Sequence, residues 1–110
     1  IVAMKVEEEE KILQEMENAQ KILLDTTATV TAKNEAYETL QLLNSKKGKV
    51  LEIEKLIKEK FNVDSCVKIN GNEINVVLSI KDQGSQYANN IINEVQSLYD
   101  KQMYITVKFQ

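Results

Sequence analysis

The chain has 110 residues, of which 43% are hydrophobic and 28% are charged, and its formal net charge is −3. This balance is typical of one folded domain and excludes an intrinsically disordered chain. All 14 basic residues are lysines. Because arginine is the residue that forms bidentate contacts to phosphate and guanine, its absence argues against nucleic acid and nucleotides as ligands.

The sequence lacks the side chains that most active sites use. Without histidine, the commonest general base and a common zinc ligand are absent. Cys66 is the single cysteine, so it has neither a disulfide partner within the chain nor a histidine to activate it. Three glycines do not form a phosphate-binding loop. We therefore predict a protein-binding module that is not an enzyme and that needs neither a metal nor a cofactor.

The start of the sequence suggests a fragment. It begins with Ile1 and not with methionine, which we interpret as the loss of an upstream segment. No apolar run approaches the roughly 20 residues that a membrane-spanning helix requires. An anchor, if the native protein has one, is expected upstream of Ile1.

The first predicted element is a helix over residues 3–24. Its apolar residues recur at spacings of three and four and form one stripe, which consists of Ile12, Leu13, Met16, Ala19, Ile22 and Leu23. A threonine-rich break follows at residues 25–31, because threonine favours extended and capping geometry over helix interiors. Thr31 is the predicted N-cap of a second helix over residues 32–45.

Gly48 marks a predicted interruption between the second helix and a third helix over residues 49–61, because glycine takes the left-handed conformation that ends helices. The alternative is one continuous helix in which Gly48 costs about 1 kcal/mol relative to alanine. On the first interpretation, the chain divides into an N-terminal helical extension, residues 1–47, and a second domain, residues 48–110.

Two alternating segments, residues 63–69 and 73–80, predict a β-hairpin. Asn70-Gly71 favours a type I′ turn, and pairing one step later around Gly71-Asn72 remains possible. Both registers preserve the same parity. The inward face is therefore predicted to consist of Val63, Val67, Ile69, Ile74, Val76, Leu78 and Ile80.

A further helix is predicted over residues 85–101, with Ser85 as its N-cap, and a third strand over residues 103–109. The helix has a nearly ideal apolar stripe, formed by Ala88, Ile91, Ile92, Val95, Leu98 and Tyr99. Together these elements predict an α+β protein. Its αββαβ two-layer module has two helices on one face of a three-stranded sheet, and the N-terminal helices extend from it.

The opposite sheet face is predicted to be mixed in character, with Val77 and Tyr104 as its apolar residues. It is either an ordinary solvated face or a surface for docking. On the second interpretation, the candidate partner interface consists of Val77, Tyr104, Asn75 and Thr106. The edge strands and the two N-terminal helices are further candidates, through strand addition and helix-in-groove contact respectively.

Four segments together resemble the stage III sporulation protein AH family of endospore-forming bacteria. They are residues 32–37 (AKNEAY) with Leu40, residues 54–58 (EKLIK), residues 74–76 (INV) and residues 105–109 (ITVKF). The resemblance extends from about Met16 to Phe109. The composition, rich in lysine, isoleucine and asparagine, also resembles that of proteins from AT-rich clostridia.

This resemblance implies a specific biological setting. The module would be similar to the ring-building motif of secretion-system and flagellar ring proteins, and would form a homo-oligomeric ring. The family protein is anchored in the mother-cell membrane by an N-terminal helix, which would be the segment absent here. Its soluble domain faces the intermembrane space around the engulfed forespore. There it binds stage II sporulation protein Q, a forespore protein with a peptidase-like domain, in a channel or feeding-tube complex.

Two other hypotheses assign the chain to different functional classes. The chain could be a self-oligomerising helical or α+β adaptor that uses Ile12, Met16, Ala19 and Leu23 as a zipper, although this stripe is short for a coiled coil. Nucleic-acid binding of the KH type requires a GxxG loop, which the sequence lacks. It also fits poorly with an acidic chain.

Overall fold

The structure is a computed structural model that describes all residues from Ile1 to Gln110. Its elements, in chain order, are helix α1 (Val2–Leu24), helix α2 (Val30–Phe61), strand β1 (Ser65–Asn70), strand β2 (Glu73–Leu78), helix α3 (Ser85–Gln96) and strand β3 (Tyr104–Phe109). The sheet order is β1-β2-β3. Strand β2 pairs antiparallel with β1 and parallel with β3. The predicted α+β class and the N-terminal helical extension are confirmed.

Helix α2 runs through Gly48 without a break, so the predicted interruption is wrong and the continuous alternative is correct. The apolar positions of α2 keep their helical spacing across the glycine and include the buried Leu43, Ile53 and Ile57. Packing along this face outweighs the propensity cost of one glycine. The boundary between residues 47 and 48 therefore lies inside one helix, and the division into two domains remains a prediction.

The break between α1 and α2 is shorter than predicted. Thr29, and not Thr31, is the N-cap of α2, and its Oγ1 accepts a hydrogen bond from the Ala32 N–H at 3.1 Å. Asp25 closes the preceding turn, because its Oδ1 accepts from the Thr27 N–H at 2.8 Å. The prediction of a threonine N-cap was correct, but the predicted position was wrong. The sequence has several threonines in this segment, and their similar capping energies do not select one of them.

The hairpin follows the second of the two predicted registers. Asn70 pairs with Glu73, so Gly71 and Asn72 are the central residues of the turn. Gly71 has a φ of 58°, whereas Asn72 has no positive φ. A positive φ at only the first central residue is the pattern of a type II′ turn, in which glycine occupies that position.

The core lies between the sheet and the two helices α2 and α3. Its ten buried residues come from every element except α1 and β3: Ile53, Ile57, Val63, Val67, Ile74, Val76, Leu78, Ile91, Val95 and Met103. All seven predicted inward residues of the hairpin belong to this core or pack against it. Two helices thus cover one face of the sheet, as predicted.

Helix α3 ends at Gln96, five residues earlier than predicted. The Gln96 side chain bonds across the following turn, accepting from the Met103 N–H at 2.9 Å and donating to the Lys101 carbonyl at 2.7 Å. At the other end, Gly84 (φ 89°) is the N-cap, and Ser85 makes no capping hydrogen bond. Of the predicted stripe, Ile91 and Val95 are fully buried, but Ile92 is only half-buried and does not join the core.

Helix α1 folds back along α2 and forms a helical hairpin that extends from the module. Ala19 and Ala36 are both buried between the two helices. The small size of the two side chains permits close approach of the helices. The molecule is consequently elongated, with principal extents of 55 × 31 × 19 Å. None of the three helices combines the length and the apolar character needed to cross a bilayer.

Candidate protein-binding surface

The second face of the sheet, opposite the core, is divided into a covered part and an open part. Cys66 and Val77 are buried, with exposed fractions of 1% and 9%. Tyr104, by contrast, is 67% exposed, and both Thr106 and Lys108 are exposed. The face is therefore closed on the side of β1 and open on the side of β3.

The N-terminal turns of α1 close the β1 side. The Lys5 ammonium lies 3.7 Å from the Glu54 carboxylate of α2, and the Glu8 carboxylate lies 3.5 Å from the Lys68 ammonium of β1. These two contacts hold one helix to both a neighbouring helix and a strand. Together with Ile12, these residues surround a cleft that Cys66 also lines. This contact was not predicted, because a local sequence pattern does not show where a helical hairpin folds back.

The cleft perturbs two titratable groups. Burial raises the pKa of the Glu54 carboxyl above its ordinary value, and the nearby Lys5 ammonium only partly opposes this effect. Burial, followed by the negative charge of Glu54, raises the pKa of the Cys66 thiol. A thiol with a raised pKa is mostly protonated and poorly nucleophilic. The structural surroundings of Cys66 are those of a packed side chain.

The four predicted interface residues do not all lie at the surface. Tyr104 is well exposed, and Thr106 donates from Oγ1 to the Asn75 Oδ1 at 2.6 Å across β2 and β3. Val77 belongs to the correct sheet face but is buried, and Met4 of α1 lines the same cavity. The expectation that Val77 is an exposed apolar contact is therefore revised. Strand parity predicts the face of a residue, whereas burial depends on what folds over that face.

We call the remaining part of this surface the open face. It consists of the exposed Tyr104, Thr106 and Lys108 and the half-buried Asn75. It combines one aromatic ring, one amide, one hydroxyl and one ammonium group. Lys108, which the list of interface residues omitted, makes no ion pair within the chain, although six other ion pairs are present. Such a mixture of polar groups around an exposed tyrosine suits a protein partner better than a small substrate.

The helical hairpin offers a second surface, but its main apolar stripe is already occupied. Ala19 is buried against α2, and Ile12, Met16 and Leu23 are half-buried along the same side of α1. The zipper stripe that the self-oligomerisation hypothesis requires is thus used within the chain. The large apolar side chains that remain exposed on the hairpin are scattered among charged residues: Val2, Val6, Leu13, Ile22, Leu24, Val30, Tyr37, Leu42 and Leu51.

Comparisons with known proteins agree on one family. The family model described as SpoIIIAH-like protein matches residues 1–106. Among solved structures, this chain is similar to a chain in the structure described as the SpoIIQ-SpoIIIAH pore forming complex, with a TM-score of 0.86 and 25% sequence identity. The similarity covers 99% of this chain and 95% of that chain. None of the curated proteins matches.

The family model spans nearly the entire chain, and the structural similarity includes the helical hairpin as well as the αββαβ module. Both comparisons agree with the resemblance that the sequence motifs indicated. The chain belongs to the SpoIIIAH-like protein family.

Proposed function

We propose that this chain is a structural subunit of a sporulation channel complex and that it binds SpoIIQ, the stage II sporulation protein Q. The observation that supports this most strongly is the similarity, over 99% of the chain, to a chain of the SpoIIQ-SpoIIIAH pore forming complex. The composition is consistent with such a role, because the chain has no histidine and its single cysteine is buried. On this proposal the protein assembles with other proteins and catalyses no reaction.

The same proposal gives the chain its cellular setting. Its domain lies between the two membranes that surround the forespore, and an anchor upstream of Ile1 attaches it to the mother-cell membrane. SpoIIQ reaches it from the forespore side. Several copies form a homo-oligomeric ring, which requires two different contact surfaces on each copy.

Within this proposal, the open face is the surface that contacts SpoIIQ. It is exposed next to an edge of the sheet, whereas the core side is covered by α2 and α3 and the β1 side by α1. Its exposed tyrosine is one of the three residue types in which binding hot spots are enriched. Lys108 contributes an ammonium group that no side chain of the same molecule neutralises.

The experiment is a binding titration between the purified chain and the extracellular domain of SpoIIQ from the same genome. Isothermal titration calorimetry and size-exclusion chromatography at micromolar concentrations are expected to give a stoichiometric complex. Failure of the two intact, folded proteins to associate at these concentrations would contradict the proposed function.

A pair of matched variants locates the interface. Thr106→Arg introduces a bulky charge into the open face, and we expect SpoIIQ to bind about tenfold or more weakly. Asn89→Arg introduces the same charge at an exposed position of α3, and its affinity should be unchanged. Equal affinities of both variants, with unchanged circular dichroism, would place the interface elsewhere.

A further inference from the structure

One line of exposed residues along α2 carries no charge. Its members follow one another at alternating spacings of four and three residues, and every one of them is exposed. We call this line the α2 stripe, and it consists of Val30, Asn34, Tyr37, Gln41, Asn44, Gly48 and Leu51. The three large apolar side chains in it, those of Val30, Tyr37 and Leu51, are each more than half exposed.

The α2 stripe lies opposite the side of α2 that the chain itself uses. The buried residues of this helix are Ala36, Leu43, Ile53 and Ile57. At 3.6 residues per turn they point away from the stripe, towards α1 and the core. The one side-chain hydrogen bond within the stripe runs along it, from the Gln41 Nε2 to the Tyr37 hydroxyl at 3.2 Å. The stripe is therefore accessible to a second molecule.

The spacing of the α2 stripe is that of a coiled-coil seam, because its mean of 3.5 residues is the repeat of a left-handed coiled coil. In the heptad a to g, the d positions are Val30, Tyr37, Asn44 and Leu51, and the a positions are Asn34, Gln41 and Gly48. A polar residue at an a position fixes the register of two helices at a cost in stability. The stripe is thus suited to a weak contact with a defined register.

Charged residues beside the α2 stripe identify a second copy of this chain as its occupant. Lys33 and Lys47 are at g positions, and Glu38 and Glu52 are at e positions. In a parallel pair of helices, each g residue faces the e residue five positions later in the other helix. Both lysines would therefore face glutamates of the second copy. Within the chain, Glu52 alone among these four residues makes an ion pair, with Lys49 at 3.4 Å.

The same charges determine the orientation of the second copy. An antiparallel pair in contact through the stripe would place Lys33 beside Lys47 of the other copy, and like charges at this distance repel. In the parallel arrangement the first repulsive pair is Glu54 with Glu59. That pair lies beyond Leu51, where the stripe has already ended.

We propose that α2 pairs, in parallel and in register, with α2 of a second copy of this chain. The two α2 stripes form the contact, and Lys33 with Glu38 and Lys47 with Glu52 flank it on both sides. The same surface is used by both copies, so the contact is isologous and produces a pair. It shares no residue with the open face. The inference therefore goes beyond the proposed function and does not depend on it.

Disulfide formation between introduced cysteines tests this pairing in the full chain. With Cys66→Ala as the background, Asn34→Cys supplies a single thiol within the α2 stripe. At equal concentration it should form disulfide-linked pairs at least about tenfold faster than Leu42→Cys, because pairing raises the effective concentration of the two thiols. Leu42 is an exposed residue of α2 outside the stripe and serves as the matched control. In an antiparallel pair, the two copies of residue 34 would be roughly 20 Å apart, too far for a disulfide.

Charge reversal in the same Asn34→Cys background tests the register. A chain with Lys33→Glu and Lys47→Glu should cross-link about fivefold or more slowly on its own, because like charges then flank the contact. A chain with Glu38→Lys and Glu52→Lys should behave in the same way. Mixing the two chains should restore the rate and give mainly mixed pairs, identified by mass, because every lysine again faces a glutamate. Circular dichroism checks that both chains keep their helix content.

Three results would overturn the pairing. The first is an equal rate of cross-linking at positions 34 and 42. The second is a rate that does not respond to charge reversal, or a preferred cross-link between an Asn34→Cys chain and a Gly48→Cys chain, which would indicate antiparallel helices. The third is weaker SpoIIQ binding by the charge-reversed chains, which would place SpoIIQ on the stripe. By contrast, mixed pairs without any SpoIIQ complex would contradict the proposed function and leave the pairing of α2 standing.

Discussion

Glu54 is a residue in which burial and charge act in opposite directions. Its side chain is only 16% exposed, and it contacts both Lys5 and the backbone of β1. Desolvation disfavours its charged form more strongly than Lys5 favours it, so its pKa is raised. The residue consequently couples the attachment of α1 to protonation.

The raised pKa of Glu54 gives a prediction about pH. The folded state holds the Glu54 proton more tightly than the unfolded chain does. The free energy of unfolding therefore decreases as the pH rises from 4.5, the ordinary pKa of a glutamate, through the raised pKa of Glu54. Glu54→Gln removes this titration. Urea unfolding between pH 4 and 7 should show that the difference in stability, variant minus native, increases with pH. A constant difference would contradict the prediction.

Helix α2 shows how an element can override the preference of one residue. Gly48 lies in the middle of 32 helical residues, and nothing lies within 4 Å of the position that a Cβ atom would occupy. Its backbone is not left-handed, unlike that of Gly71 and Gly84. The glycine is therefore tolerated at a cost and is not required by geometry.

Gly48→Ala should consequently stabilise the protein by about 0.5–1 kcal/mol, since alanine has less backbone freedom to lose in the unfolded chain. The measurement is the urea midpoint at an unchanged m-value. Gly71→Ala is the matched control and should destabilise, because φ at Gly71 is 58°. A neutral or destabilising effect of alanine at position 48 would contradict this prediction.

Helix α1 is attached to the module through few contacts, and Lys5 is one of them. Lys5→Glu places a third carboxylate near Glu54 and Glu9, so the first turns of α1 should detach more often. Alkylation of the buried Cys66 should then become several-fold faster than in the native chain. Lys21→Glu makes the same change at an exposed position near the other end of α1 and should leave the rate unchanged. Identical rates for the two variants would show that α1 does not control access to Cys66.

The whole molecule consists of a small core and the helical hairpin, which packs against it. All ten core residues lie between Ile53 and Met103, and none comes from α1. The hairpin nevertheless contacts the sheet through Glu8 and Lys68. The stability that the helical hairpin adds therefore decides whether residues 48–110 form an independent unit.

A fragment of residues 48–110 should fold, because it retains the complete core cluster. It should be less stable than the full chain, since Cys66 and Val77 lose the cover of α1. Circular dichroism and urea unfolding should show a cooperative transition at a lower midpoint than that of residues 1–110. A fragment without a cooperative transition would mean that the hairpin is required for folding and that the two parts are one domain.

The sequence by itself determined the order of the elements from the hairpin onwards and the inward face of the sheet. Alternation at residues 63–80 and helical spacing at 88–99 are local periodicities, and burying one face of each allows few arrangements. The motifs also indicated the correct family. The ends of elements were less well specified, because several threonines and glycines have similar capping energies.

Only the tertiary structure decided which surfaces remain exposed. The pattern that assigns Val77 and Tyr104 to the same sheet face cannot report that one is 9% and the other 67% exposed. That difference depends on where α1 folds back, which is set by contacts between residues about 50 apart in the chain, such as Lys5 with Glu54. The open edge of β3 has the same origin, since an edge is defined by what the rest of the chain does not cover.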